Sequence, residues 1–287
     1  MKESVNKFIE RTNNIFSMQY GMLNEYKIIE AINEKKFIEL NKHWQEIIKN
    51  ILFKNIDIED DSIIIAYKCE NYIKPDIAIM IGDVTKFISI KLGDRCTMHQ
   101  ESISTFMELL KSYNISEETI ETLLLFLYGD GTTDGTGEHR FSTRDLVDSL
   151  YERLILANEE LNSNKKLVRK VIERCVFEGV DCEKDSATFL YHGNKDKGIM
   201  CSDKEIIKFG LWKPMKWMFM PHIGPLVITP YLRDINNVSK NQYKRDYVNL
   251  TWRDLGKHME LIQKFDRQDN ELKAKCYQNN PKLNKET

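Results

Sequence analysis

Residues 74–101 include two acids and a lysine, Asp76, Glu101 and Lys91, whose types and spacing suit metal-dependent chemistry. Asp76 follows Pro75, Lys91 comes two residues after Ser89 at the end of an apolar run, and Glu101 follows further on. Mg²⁺ prefers oxygen ligands, commonly takes one or two protein carboxylates and keeps several waters. An ammonium group beside such a cation can orient the attacking water. The stretch therefore predicts phosphodiester hydrolysis.

A β-hairpin is predicted to position Asp76 and Lys91. Two short apolar runs, 77–81 and 87–92, are separated by residues 82–86, which include Gly82 and Asp83. Because side chains alternate along a strand, Ser89 and Lys91 share one face. In an antiparallel pair with this turn, we expect Asp76 to fall roughly opposite residues 89–91.

A helix is predicted to supply the second carboxylate. Apolar residues at 103, 106, 107 and 110 have helical spacing, and His99, Gln100 and Glu101 are assigned to the first turn of that helix. We expect this turn to bring Glu101 back towards the hairpin.

These residues resemble the motif of the PD-(D/E)XK nuclease superfamily, the restriction endonuclease-like proteins. The matching residues are Pro75-Asp76, Ser89-Ile90-Lys91 and Glu101. Ser89 departs from the basic pattern, in which an acid stands at that position. The chain is similar instead to a subgroup of type II restriction enzymes that read SxK and take the missing acid from the following helix, a role that falls to Glu101.

The resemblance implies roles for these residues and for a metal. Asp76 and Glu101 would bind Mg²⁺, for which Mn²⁺ could substitute, Lys91 would place the attacking water, and Ser89 would line the site. It also implies a restriction endonuclease-like core of the α/β (α+β) class, with a mixed central sheet flanked by helices and with additional helical and β-rich C-terminal elements. Double-stranded DNA as substrate, a defence role and cutting by a homodimer follow from the same resemblance.

The order of predicted elements agrees with such a core. Helices over residues 3–53, a strand over 62–67, the hairpin and the helix after it give an αβββα order. We divide the chain into residues 1–128 as the nuclease core, 129–265 as a helical pair and a β-rich region that complete the core and contact DNA, and 266–287 as a flexible tail.

Glu25 is a further candidate for the site. On the second predicted helix, Met22, Tyr26, Ile29 and Ile32 form an apolar face, and Glu25 projects close to its centre. A carboxylate on a core-facing stripe is costly unless it is paired or functional. Members of the resembled family often take an acid from a helix before the sheet, so Glu25 is either an outer site acid or a glutamate paired with a nearby lysine.

Composition excludes several classes of protein. Of 287 residues, 41% are hydrophobic and 30% charged, with a net charge of −2, which argues against a generic cationic DNA-coating protein. No run of 18 apolar residues and no signal-peptide core occurs, so we expect a cytoplasmic protein without membrane association. The six cysteines show no zinc-ligand spacing. No phosphate-binding or dinucleotide-binding glycine motif is present, so no nucleotide cofactor is expected.

Candidate DNA contacts lie at several basic positions. The glycine-rich loop over residues 129–140 is similar to a calcium-binding loop, but position twelve is Phe141 and not an acid, so no calcium site is predicted there. Aromatic and basic residues alternate towards the C-terminus, a composition typical of nucleic-acid grooves. The predicted contacts are Arg95, His99, Arg140, Lys244 and Arg245.

The leading hypothesis is a Mg²⁺-dependent endonuclease acting on double-stranded DNA. The main alternative is a catalytically inactive nuclease-fold protein that binds nucleic acid or a protein partner, because Ser89 cannot supply the negative charge of the missing acid. A third hypothesis is hydrolysis of RNA. A purely structural interpretation also stands: Asp76 at a strand entry, Lys91 on a strand edge and Glu101 in the first turn of a helix.

Overall fold

The computed structural model describes residues 20–70, 73–180, 186–212, 219–233 and 242–265, and the predicted tail over 266–287 lies outside them. In the described residues the chain forms two β-sheets with helices packed against them. This mixed α/β architecture, with a mixed sheet flanked by helices, confirms the predicted fold class.

The first sheet has six strands in the order β1-β2-β3-β4-β6-β7. Neighbours pair antiparallel except β4 and β6, which are parallel, so the sheet is mixed. Its strands are β1 (Lys35–Lys36), β2 (Ile63–Lys68), β3 (Ile77–Ile81), β4 (Val84–Lys91), β6 (Phe189–Gly193) and β7 (Gly198–Ser202).

The second sheet has the order β5-β10-β9-β8, and all its pairs are antiparallel. Its strands are β5 (Arg95–Ser102), β8 (His222–Ile223), β9 (Leu226–Pro230) and β10 (Tyr247–Arg253). Both sheets combine strands from residues 1–128 with strands from residues 129–265, so the second range completes sheets that the first begins.

The helices pack on both sides of the first sheet. Helix α1 is helical over 20–32 and α9 over 255–265. The others are α2 (Lys42–Ile47), α3 (Ile103–Ser112), α4 (Glu117–Tyr128), α5 (Thr143–Ser149), α6 (Tyr151–Ser163), α7 (Lys165–Ile172) and α8 (Asp203–Trp212), with 3₁₀ turns at Phe37–Glu39 and Gln242–Asp246 and π-helical turns at Ile48–Leu52 and Glu173–Glu178. No helix in the described ranges is both long and apolar enough to cross a bilayer.

The two faces of the first sheet belong to separate apolar clusters. Ile77, Ile88 and Ile90 pack with α1, α2 and the first π-helical turn. On the opposite face, Leu190 packs with α3, α4, α6, α7 and the inner side of the second sheet. Alternation along β4 therefore sends Ser89 and Lys91 towards the space between the two sheets.

The segment that carries Glu101 differs from its prediction. Residues 95–102 form strand β5, not the first turn of a helix, because buried Cys96 and Met98 alternate with exposed Arg95 and Thr97. The helix begins only at Ile103, where the Ser102 side chain accepts a hydrogen bond from the backbone N–H of Thr105. The helical apolar spacing predicted from the sequence starts at the same residue.

Candidate active site

Asp76 and Lys91 meet at one end of the β3–β4 hairpin. The Asp76 Oδ2 atom accepts hydrogen bonds from the backbone N–H of Ile90 at 2.5 Å and from Ser89 Oγ at 3.1 Å. The Lys91 Nζ atom lies 3.7 Å from the same oxygen. The carboxylate therefore accepts two hydrogen bonds from one strand and forms an ion pair with Lys91. Both charged side chains keep about a fifth of their surface exposed, 22% for Asp76 and 19% for Lys91.

The turn between the strands sets this geometry. Ile81 pairs with Val84, so Gly82 and Asp83 form a two-residue turn, and Gly82 has a φ of 55° that favours glycine. From this turn the register runs to the Ile77–Ile88 pair, and the backbone N–H of Asp76 donates to the Ile88 carbonyl at 2.9 Å. A register shift of one residue would move Lys91 to the opposite face.

Helix α1 contributes Glu25, although its buried stripe differs from the predicted one. Met22 and Tyr26 are 50% and 52% exposed, whereas Ile28 and Ile32 are fully buried and Glu25 is buried beside them. The sequence thus identified the inward direction of Glu25 and the burial of Ile32 and, in part, Ile29, but it wrongly placed Met22 and Tyr26 on the buried face, because this helix carries apolar side chains on more than one face.

Glu25 is electrostatically coupled to the hairpin. Its carboxylate forms an ion pair with Lys68 on β2, the strand next to β3. Burial, followed by repulsion from Asp76, raises the pKa of Glu25, and the charges of Lys68 and Lys91 oppose this shift. The carboxylates of Glu25 and Asp76 therefore influence each other, and Lys91 lies close enough to act on both.

Lys74 is a site residue that sequence reasoning missed. Its ammonium group donates to the backbone carbonyl of Met98 on β5, and so links the entry of β3 to the second sheet. Burial, and then the positive charge of Lys91, lower the pKa of Lys74 to about 8. Its position directly before Pro75-Asp76 was the one available signal.

Glu101 has a different environment from the one predicted. Its two carboxylate oxygens accept hydrogen bonds from Arg174 Nε at 3.3 Å and Nη2 at 2.5 Å. His99 Nε2 lies 3.5 Å from Glu101 Oε1. Burial alone would raise the pKa of Glu101, but the interactions with His99 and Arg174 outweigh it and hold the pKa below its usual value. The carboxylate is thus engaged by the π-helical turn after α7.

The residues present fit a cation that keeps most of its own water. In the described parts of the chain, no hydrogen bond reaches Asp76 Oδ1, which leaves one carboxylate oxygen for a metal. No group of three His, Cys, Asp or Glu side chains in those parts could form a complete protein cage. Mg²⁺ is commonly bound through one or two carboxylates and completed by water and substrate phosphate, which suits Asp76 with Glu25.

The predicted DNA contacts divide into exposed and enclosed residues. Arg95 is exposed on β5, and Lys244 donates from a partly exposed position to Tyr231 Oη at 2.9 Å. His99 is buried between the sheets, so it does not face an outside ligand. Arg140 is also buried, because Asp130 pairs with its guanidinium inside the loop. One nitrogen of Arg245, Nη2, is buried and has no hydrogen-bond partner among the described residues.

Comparisons with known proteins bear on the fold. No protein-family model matches this sequence. No curated protein sequence matches it either. Among solved structures, the chain is similar to the restriction endonuclease MspI in complex with its cognate DNA, with a TM-score of 0.52 and 12% sequence identity. The match covers 84% of this chain and 92% of that one. The protein therefore has a restriction endonuclease-like fold.

Proposed function

We propose that this protein is a Mg²⁺-dependent endonuclease that hydrolyses phosphodiester bonds of double-stranded DNA in the manner of a type II restriction enzyme. The observation that carries the proposal is the Asp76–Ser89–Lys91 cluster, fixed at one end of a hairpin in a fold similar to that of a DNA-bound restriction endonuclease. Action as a homodimer and a place in restriction-modification are parts of the same proposal.

In this proposal Asp76 and Glu25 hold the cation. The hydrogen bonds from Ser89 and Ile90 go to Asp76 Oδ2, and Oδ1 accepts none from the described residues. A bound Mg²⁺ would stabilise negative charge on the phosphate and lower the pKa of its water. Because burial and Asp76 raise the pKa of Glu25, a cation between the two carboxylates would relieve their repulsion. Glu101, which the sequence predicts as a metal ligand, forms an ion pair with Arg174, so this proposal takes Glu25 as the second acid.

Lys91 places the nucleophile. Its ammonium group lies 3.7 Å from Asp76 Oδ2, close enough to remain beside the carboxylate and too far for a strong hydrogen bond. It can therefore donate to a water or to a phosphate oxygen while Asp76 keeps it in position. An amine held in this way stabilises charge that develops during hydrolysis.

Plasmid DNA supplied with Mg²⁺ or Mn²⁺ tests the proposal directly. We expect the wild-type protein to linearise the plasmid at defined positions, and Asp76→Ala and Lys91→Ala to lose cleavage by at least about 100-fold while they retain DNA binding. Asp57→Ala and Lys49→Ala are matched controls, because both residues are exposed and belong to other elements. Equal cleavage by Asp76→Ala and wild type would reject the assignment.

The ion pair between Glu101 and Arg174 favours one alternative, a nuclease-fold protein that binds DNA and does not cut it. With Ser89 in place of an acid and Glu101 bound to Arg174, the site near the hairpin has less negative charge than the usual motif provides. Binding of duplex DNA without cleavage of either DNA or RNA, across several metals and salt concentrations, would select this alternative. Cleavage of RNA alone would select an RNA hydrolase.

A further inference from the structure

The outward face of the second sheet has the composition of a surface that binds a polyanion. From β5 and β10 it presents Arg95, Thr97, Gln100, Asn249, Thr251 and Arg253, whose side chains are exposed or partly exposed. The carboxylate of Glu101 points to the other side, where it binds Arg174. Within these two strands the outward face therefore carries positive charge and neutral hydrogen-bonding groups, and no carboxylate.

Two arginines face each other directly across the strands. Arg95 and Arg253 are partners in the antiparallel register. Burial, and then the positive charge of Arg95, lower the pKa of Arg253, and the charge of Asp254 opposes this shift. Like charges directly opposite each other destabilise a sheet. A phosphate bound between them would remove that cost.

The arginine pair lies at the end of the sheet nearest the candidate active site. Arg95 follows Lys91 by a short loop, and the backbone N–H of Asp254, directly after Arg253, donates to the Asp94 carbonyl of that loop at 2.8 Å. His192, the register partner of Lys91 on β6, is 2.9 Å from the Gly93 carbonyl through Nε2. The loop after Lys91 is thus held by both sheets, and it joins the end of the hairpin directly to the strand that begins at Arg95.

Gln100 lies further along the same face. It pairs across the strands with Asn249 and is exposed, and its side chain has no hydrogen bond to any residue in the described ranges. Because of a bulge in β5, the partners of Gln100 and Arg95 are only four residues apart on β10. At about 3.3 Å per residue, Gln100 is therefore roughly 13 Å from Arg95, a distance of about four base-pair steps. A free primary amide can donate and accept at once, as recognition of an adenine edge in the major groove requires.

We propose that the outward face of β5 and β10 reads the base sequence of duplex DNA, with Gln100 on a base edge and the Arg95–Arg253 pair on a backbone phosphate. This inference rests on the proposed function and extends it from cleavage to specificity. It assigns the two contact types to different residues: the arginines supply affinity without sequence preference, and Gln100 supplies preference at one base pair.

Selection of bound duplexes from a randomised pool tests the inference apart from cleavage, with Asp76→Ala as the parent protein. Gln100→Ala should reduce the preference at one base position by about 5- to 150-fold and leave affinity for the unselected pool unchanged. Gln100→Glu should shift that position towards cytosine, whose amino group donates to a carboxylate. A misfolded variant could not produce such a shift.

Two further variants complete the design. Arg95→Gln should weaken binding of all duplexes alike and reduce the salt dependence of binding by about one counterion. Asn50→Ala, an exposed amide change on the π-helical turn that packs on the far face of the first sheet, should change neither quantity.

The outcomes separate this inference from the proposed function. Unchanged base preference in both Gln100 variants, or a uniform loss of affinity in Gln100→Ala, would overturn the assignment of this face. If the wild type does not cut DNA but Gln100→Ala loses the base preference, the proposed hydrolysis would be overturned, and the outward face of β5 and β10 would still be assigned to base recognition. A parent protein that binds no duplex would overturn both.

Discussion

Glu25 and Glu101 provide the sharpest test of how the site is built, because the structure gives the two acids different roles. The side chain of Glu101 is 3% exposed and that of Arg174 is 13% exposed, and two hydrogen bonds join them. Glu101→Gln would keep the shape of the side chain and remove the negative charge that both hydrogen bonds bring to the guanidinium. Loss of one charged partner in a buried pair costs about 3 kcal/mol.

That cost should appear as a change in folding stability. A loss of about 3 kcal/mol lowers the Tm by roughly 6–12 °C in a domain of a few hundred residues. Glu25→Gln should behave differently, because it removes one of two carboxylates that repel each other while its partner Lys68 remains partly exposed. We expect Glu25→Gln to change the free energy of unfolding by less than about 1 kcal/mol without metal.

Thermal unfolding with and without Mg²⁺, together with plasmid cleavage, measures both effects. Glu25→Gln should lose cleavage and the Mg²⁺-dependent rise in Tm, whereas Glu101→Gln should lower the Tm with or without metal and retain cleavage at temperatures where it is folded. Glu101 would be the metal ligand, and Glu25 would not, if Glu101→Gln unfolds like the wild type and no longer responds to Mg²⁺ while Glu25→Gln cleaves normally. Asp57→Ala serves as the control for loss of an exposed acid.

Three other outcomes follow from the same structure. The pKa of Glu101 is lowered in the folded protein, so the ionised carboxylate stabilises the fold above pH 4.5, its usual pKa, and this stabilisation is lost as the pH falls through the lowered value. The Tm difference between wild type and Glu101→Gln should therefore disappear in melting curves recorded at acid pH. Ser89→Ala removes the 3.1 Å hydrogen bond to Asp76 but not the one from Ile90, so cleavage rates should fall about tenfold, less than in Asp76→Ala. Burial raises the pKa of Cys96 to about 11 and of Cys175 to about 12, so neither thiol should react with iodoacetamide in the native protein at pH 8. Peptide mass spectrometry measures the labelling, and rapid labelling of either cysteine in the native protein would contradict its burial.

The local sequence pattern was sufficient to predict the β3–β4 hairpin and its register. Alternation of apolar residues and the Gly82-Asp83 turn are short-range signals, and they fix which face Lys91 occupies and which residue lies opposite Asp76. The predicted meeting of one carboxylate and one ammonium therefore agrees with the observed distance of 3.7 Å. The mixed α/β class was also predicted from the sequence, because the order of helical and strand patterns along the chain indicates the fold class.

Long-range contacts decided the remaining features. Residues 95–102 became a strand because β10, more than a hundred residues later, supplies its partner, and no local signal announces that pairing. The same pairing turns Glu101 towards Arg174 and Gln100 towards the outside. Likewise, burial of Arg140 depends on a carboxylate ten residues earlier, and the coupling of Glu25 to Asp76 depends on how α1 packs beside β2.

The sequence by itself determined the residue types, the hairpin and the chemistry that a carboxylate beside a lysine can support. Only the tertiary structure decided which acids share the space around Asp76, because side-chain partners from distant strands and turns are set by packing and not by spacing along the chain. That is the physical reason why Glu25 is coupled to the hairpin carboxylate of Asp76, whereas the charge of Glu101 is stabilised by His99 and Arg174.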